Sequence, residues 1–231
     1  MKGNDINLDY QRRERIGFDE AILCDGKSDE QIARILDDAE QKSISLLLTR
    51  LSERARDALA ENHRSAMDYD AVSRTGIYGA PYPTMAGPAS IAVVTAGTSD
   101  TPVGREAART LNYFGHKVLE IGDVGVAGLW RLLDRLDDIS DKAVVIVVAG
   151  MDGALPSVVC GLVPGLVIAV PTSVGYGVSD KGRTALNTAL ASCAPGLLAV
   201  NIDNGYGAAC AALRALSPAF SKTDGTRAED R

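Results

Sequence analysis

The chain has 231 residues, which at ~100 to 200 residues per domain allows one large domain or a domain with a smaller appendage. It is 46% hydrophobic but only 5% aromatic and carries 23 glycines, so its core should be Val, Ile, Leu and Ala packed around tight turns, as in parallel sheets buried on both faces. A net charge of −6 and a pI near 5.0 exclude a general attraction for polyanions, so neither nucleic acid nor an anionic membrane surface is expected as a partner.

The opening residues MKGNDINLDYQRRER lack the apolar stretch of a secretory signal, and no run approaches the ~18 apolar residues of a membrane span. A cytoplasmic protein is expected. Asp9 is placed to cap a short basic helix carrying Arg12, Arg13 and Arg15 that stops at Gly17, and residues 20–24 read as a brief strand. Ser28, with Gln31 three places on, forms a capping box ahead of the apolar stripe Ile32, Ile35, Leu36 and Ala39, so a helix follows. Residues 43–49 (SISLLLT) predict a strand and 52–60 an amphipathic helix. The first 75 residues should therefore form a small βαβα domain.

Residues 73–88 (SRTGIYGAPYPTMAGP) concentrate Gly, Pro and Tyr without periodicity, and a linker over 76–88 is expected. Strands are then predicted at 90–95, 117–121, 143–149, 166–170 and 197–202. Helices are predicted at 102–114, 127–136, 155–162, 181–192 and 208–216. Short apolar runs separated by helices imply right-handed crossovers, hence an α/β domain over 89–216 with a doubly wound, mostly parallel sheet. Ligands of such sheets sit beyond the carboxyl ends of the strands. Residues 217–231 are polar and aperiodic and read as a flexible tail.

The loops at those strand ends carry the candidate chemistry. After the first strand, Gly97, Thr98, Ser99 and Asp100 precede a helix start, where a tight turn, two hydroxyls and unpaired N–H groups suit a phosphate or an ordinary helix cap. The loop is neither a Walker motif nor GxGxxG. The third strand runs into Gly150, Met151, Asp152, Gly153 and Ala154, which sets a carboxylate between two glycines where a side chain can face a ligand. The fourth gives Ser173, Gly175, Tyr176 and Gly177; the fifth gives Asp203, Asn204 and Gly205. Gly-Tyr-Gly follows both strands, a turn that can also wrap a ring or a phosphate. The four cysteines, Cys24, Cys160, Cys193 and Cys210, show no CxxC and no histidine at ligand spacing, so single thiols are expected rather than disulfides or zinc. Cys160 and Cys210 read as buried packers, whereas Cys193 lies next to a turn at a helix end and should be reachable. No metal-ligand cluster is visible.

Taken together, AGTSD, DVGVAG (which holds Asp123), AGMDGALPSVV, PTSVGYG, NTALASCA and VNIDNGYG resemble the LarB family of nickel-pincer cofactor biosynthesis. The match runs over about residues 88–216, and DYQRRERIGFDEAILCDGKSDEQI resembles the family's opening segment. The resemblance implies an aminoimidazole ribonucleotide (AIR) carboxylase-like, flavodoxin-like catalytic domain. It implies carboxylation of the pyridinium ring of nicotinic acid adenine dinucleotide at C5 and hydrolysis of the phosphoanhydride, giving AMP and pyridinium-3,5-biscarboxylate mononucleotide. Carbon dioxide or bicarbonate would be the co-substrate, with no organic cofactor and with a divalent cation, Mg2+, on the pyrophosphate. Cys193 matches the cysteine that adds to the ring, and Asp152 stands where the family carries Glu, to move the C5 proton or steer the thiol. Gly97, Thr98, Ser99 and Asp100 would hold a phosphate and ribose, and Ser173, Gly175, Tyr176 and Gly177 would line the nucleotide pocket. A homo-oligomer is implied, an octamer as in carboxylases of this fold. Two rivals stand beside it. One is a nucleotide-sensing module without turnover; the other is a purine-pathway carboxylase or mutase. The latter uses a histidine in its AGGAAHLPG-like loop, which AGMDGALPS lacks; the two histidines here are His63 and His116.

Overall fold

In the computed structural model, which describes residues 6–217, the chain begins with α1 (Arg12–Ile16), closed by Gly17 in the left-handed conformation. Its N-cap is Gln11, not Asp9 as expected, because Arg12 and Arg15 both take the Asp9 carboxylate as an ion-pair partner. β1 (Ile22–Leu23), α2 (Asp29–Lys42) and β2 (Leu46–Thr49) follow, α2 starting at the Ser28–Gln31 capping box and burying Ile32, Ile35, Leu36 and Ala39. α3 (Glu53–Asp57) starts at Ser52, and α4 (Glu61–Ser65) leads into a hairpin of β3 (Met67–Asp70) and β4 (Thr75–Tyr78). The Asp70 carboxylate accepts hydrogen bonds from the Ser73 N–H and hydroxyl and so closes the hairpin turn.

This hairpin corrects the expected βαβα unit. The four-stranded sheet is mixed, in the order β1-β2-β4-β3, with β1 and β2 parallel and the other pairs antiparallel. β4 also draws residues 76–78 of the expected linker into the sheet.

The second half holds β5 (Ile91–Thr95), α5 (Thr101–Tyr113), β6 (Val118–Ile121), α6 (Leu129–Leu133), α7 (Leu136–Ile139), β7 (Val144–Ala149), α8 (Leu155–Cys160), β8 (Leu166–Pro171), α9 (Arg183–Leu190), β9 (Leu198–Ala199) and α10 (Gly205–Ala215). Its five strands are all parallel, in the order β6-β5-β7-β8-β9. Alternate residues feed two separate cores, which is why these strands read as unbroken apolar runs. Val93, Ile146, Val148 and Ile168 pack with Ala107 and Leu111 of α5 and Ala208 and Ala212 of α10. Val94, Val145, Val147 and Val167 pack with Leu132, Ile139, Leu155 and Val159 on the opposite face. The single helix expected over 127–136 is instead α6 and α7 with a break between them, and the last strand is two residues long rather than six.

α5 joins the two halves. One flank lies on the parallel sheet; the other carries Tyr113, which packs with Leu47, Ile77 and Phe114 and donates its hydroxyl to the Ser45 carbonyl at 3.0 Å. Arg109 donates to the Thr75 hydroxyl at 2.7 Å and Arg105 pairs with Asp70 at 2.6 Å. Arg50, from the first half, donates to the Asp203 carbonyl at 2.9 Å. Apart from Ser217, the tail expected over 217–231 lies outside the described residues. Among the described residues, no helix is long and apolar enough to cross a membrane.

Candidate active site

The strand order reverses between β5 and β7, and a parallel sheet opens a crevice at the carboxyl ends of the strands flanking such a reversal. A cleft of about 770 Å3 lies there, walled by the loops that follow β5, β6, β7 and β8. A hollow of similar volume, about 760 Å3, lies between α1 and the end of α10, but none of these loops reaches it. The cleft is thus the place where groups from several strands converge on one ligand.

Asp100 holds the cleft together. Buried at 4% exposure, its two oxygens accept the Thr172 hydroxyl at 2.6 Å, the Gly97 N–H at 2.9 Å and the Gly150 N–H at 3.1 Å, tying three loops to one carboxyl. Burial, the largest influence, pushes this carboxyl above the ordinary aspartate range, against the hydrogen bonds that favour its ionised form. Gly150 must be glycine at this crossing, since a Cβ would stand 2.5 Å from the Val174 carbonyl oxygen and 2.6 Å from the Thr172 hydroxyl.

Gly97, Ser99, Asp100, Asp123, Gly150, Met151, Asp152, Ala154 and Tyr176, all expected from the sequence, line the cleft. Met151 takes a left-handed φ of 55°, and Asp152 follows at the surface with Oδ1 3.4 Å from the Ala154 N–H, long for a cap and leaving most of the carboxylate open. The Tyr176 ring is 81% exposed at the rim. Arg131, unforeseen, is the one cation lining the cleft among the described residues and pairs with Asp123 at 2.7 Å. Its signal was the family-like DVGVAG segment eight residues upstream, which brings a carboxylate within reach of the first turn of α6.

The other expected residues stand elsewhere. Thr98, Gly153, Ser173, Gly175 and Gly177 belong to the same loops but do not line the cleft. Asp203 accepts the Ser173 N–H at 2.8 Å and Asn204 caps α10 through the Gly207 N–H at 2.8 Å, so with Gly205 they shape the loop after β9 from behind. Gly205 is packed where a Cβ would meet the Val103 carbonyl oxygen at 2.3 Å.

Cys193 is exposed, three residues beyond the end of α9, and does not line the cleft of its own chain. The other thiols are held differently. Burial pushes Cys24 up to about 12 and raises Cys210 and Cys160 as well. Cys160 is half-buried, with its sulfur 3.7 Å from the Pro195 carbonyl oxygen, and Cys210 is likewise half-buried rather than sealed in the core.

A divalent cation on the pyrophosphate finds no cage in this cleft. Among the described residues, no three His, Cys, Asp or Glu side chains converge there, Asp100 being committed to three loops and Asp123 to Arg131. A Mg2+ ion on a pyrophosphate needs only one or two carboxylates beside the phosphates themselves, and Asp152, whose carboxylate is open to the cleft, is the group that would hold it there.

Residues 3–80 match the LarB/PurE-like N-terminal domain, and residues 90–227 match the AIR carboxylase family. An uncharacterized protein of Methanocaldococcus jannaschii is 38% identical over 211 residues, which span 88% of this chain and 80% of that protein. The crystal structure of a PurE2 variant from Treponema denticola is 24% identical with a TM-score of 0.46, over 58% of this chain and 80% of that one.

Proposed function

The chain belongs to the LarB family, and on that premise we propose that it carboxylates C5 of the pyridinium ring of nicotinic acid adenine dinucleotide and hydrolyses the phosphoanhydride. The observation that carries this reading is the open carboxylate of Asp152 on the wall of a four-loop cleft at the reversal of the sheet, beside an exposed aromatic ring. A pyridinium ring is a flat cation, and Tyr176 offers it a π face. Arg131 and the Ser99 hydroxyl offer the phosphates their contacts.

Such a ring is electron-poor and does not attack carbon dioxide. Addition of the Cys193 thiolate to a ring carbon forms a C–S bond and leaves a dihydropyridine whose C5 is an enamine carbon. C5 attacks carbon dioxide, forming the new C–C bond. Asp152 takes the C5 proton, and the returning electron pair expels the thiolate and restores aromaticity. Water cleaves the phosphoanhydride, releasing AMP and the mononucleotide. An exposed thiol outside its own cleft fits a homo-oligomer in which Cys193 of one copy faces the cleft of another.

Incubation with nicotinic acid adenine dinucleotide and labelled bicarbonate tests the reading: label should enter a pyridine mononucleotide with release of AMP, and Cys193→Ala should reduce incorporation to background. Binding without incorporation would make the protein a sensor. Full incorporation by Cys193→Ala would remove the thiol from the mechanism.

A further inference from the structure

Far from the cleft, His63 of α4 has a side chain only 2% exposed, and neither ring nitrogen has a hydrogen-bond partner. Burial of an unpaired imidazole is unfavourable unless something else occupies its lone pair. Nε2 faces two carboxylates, Asp37 Oδ1 at 3.1 Å and Glu40 Oε2 at 3.7 Å, yet hydrogen-bonds to neither. Asp37 and Glu40 stand three residues apart on α2 and so share a face. The three ligand atoms lie within 4.8 Å of one another.

We propose that Asp37, Glu40 and His63 bind one divalent transition-metal ion of the zinc class. Donors at about 2.0–2.2 Å from a tetrahedral zinc ion stand roughly 3.4 Å apart. The two measured separations, 3.1 and 3.7 Å, fall on either side of that spacing. An imidazole in the set favours zinc or cobalt over magnesium or calcium. Asn62 donates to Glu40 Oε2 at 3.1 Å and so orients that carboxylate. Both carboxylates are more than half exposed, at 57% and 55%, which gives an ion a path from solvent and leaves room for water as a fourth ligand. An ion held here links α2 to α4 within the first domain and stabilises it by mass action.

The test uses the full chain without a histidine tag, stripped with chelator and titrated with Zn2+ by calorimetry, alongside thermal unfolding with and without the ion. One Zn2+ per chain should bind and raise Tm, with no matching effect of Mg2+. The double variant Asp37→Asn, Glu40→Gln changes only exposed side chains, so it should keep the wild-type circular dichroism while binding Zn2+ at least tenfold more weakly and losing the Tm rise. No uptake by the wild type, equal uptake by the double variant, or equal binding of Mg2+ would each overturn the assignment.

Discussion

Asp100 engages three loops with two oxygens, so its substitution should be felt through the whole cleft. In Asp100→Asn one oxygen becomes an NH2 group; if it faces the Gly97 N–H, a buried donor is left unpaired and about 1–3 kcal/mol of stability is lost. The pH dependence has a definite sign. Because burial holds the folded-state pKa above its ordinary value, Asp100 contributes stability while protonated, fully at acid pH, and that contribution falls as pH rises through the folded value. Urea unfolding from about pH 3 to pH 7 should therefore show the deficit of the variant to be largest at the acid end and to shrink as pH rises. A deficit that does not change with pH would mean that burial does not raise the Asp100 carboxyl above its ordinary value.

Among the elements, the strands that read most clearly in the sequence are β5, β7 and β8, whose buried residues supply both faces of one sheet and leave no polar interruption. The β3–β4 hairpin was illegible for the opposite reason: MDYD and TGIY are short, and TGIY carries a glycine and lies in a stretch whose Gly, Pro and Tyr content signals a turn. β9 was overread: Leu198 and Ala199 pair in register with β8, and beyond them Val200 and Asp203 donate single N–H groups to the Ala169 and Pro171 carbonyls without extending the ladder. The loops of the site were legible as glycine-rich turns after strands. What they touch was not: Asp100 and Asp203 had the look of ligand contacts, and the fold also gives Asp100 the Gly97 and Gly150 N–H groups and the Thr172 hydroxyl to hold, and Asp203 the Ser173 N–H. At the crossing of two loops, Gly150→Ala should drive the segments after β7 and β8 apart, costing about 1–3 kcal/mol. Gly161→Ala is the control, because its added Cβ would come no nearer than 3.5 Å to any atom. Comparing Tm for the two variants decides the point; equal values would mean that the Gly150 loop yields without strain.

At the scale of the whole molecule, an apolar surface lies open around and beyond the cleft. Tyr176 is 81% exposed and Val178 91% on one loop, with Trp130 at 65% on α6 and Leu190 at 69% at the end of α9. Exposed apolar side chains of this kind are suited to contacts with other copies, which the proposed homo-oligomer would supply. If Cys193 of one copy serves the cleft of another, Cys193→Ala and Asp152→Asn, each inactive alone, should restore each other when dissociated and reassembled together. Random pairing gives about one quarter of wild-type activity. Mixtures that stay inactive would confine the thiol and the carboxylate to a single copy.

α5 is covered on both flanks, by the parallel sheet on one side and by Ala21, Leu47 and Ile77 of the first domain on the other. A carboxylase half cut free at residue 88 would bare Tyr113 and Phe114 to water and lose Arg50 from behind the last loop. The leading segment thus works as a fitted jacket for its neighbour, and a fragment without it should come out of the cell as precipitate.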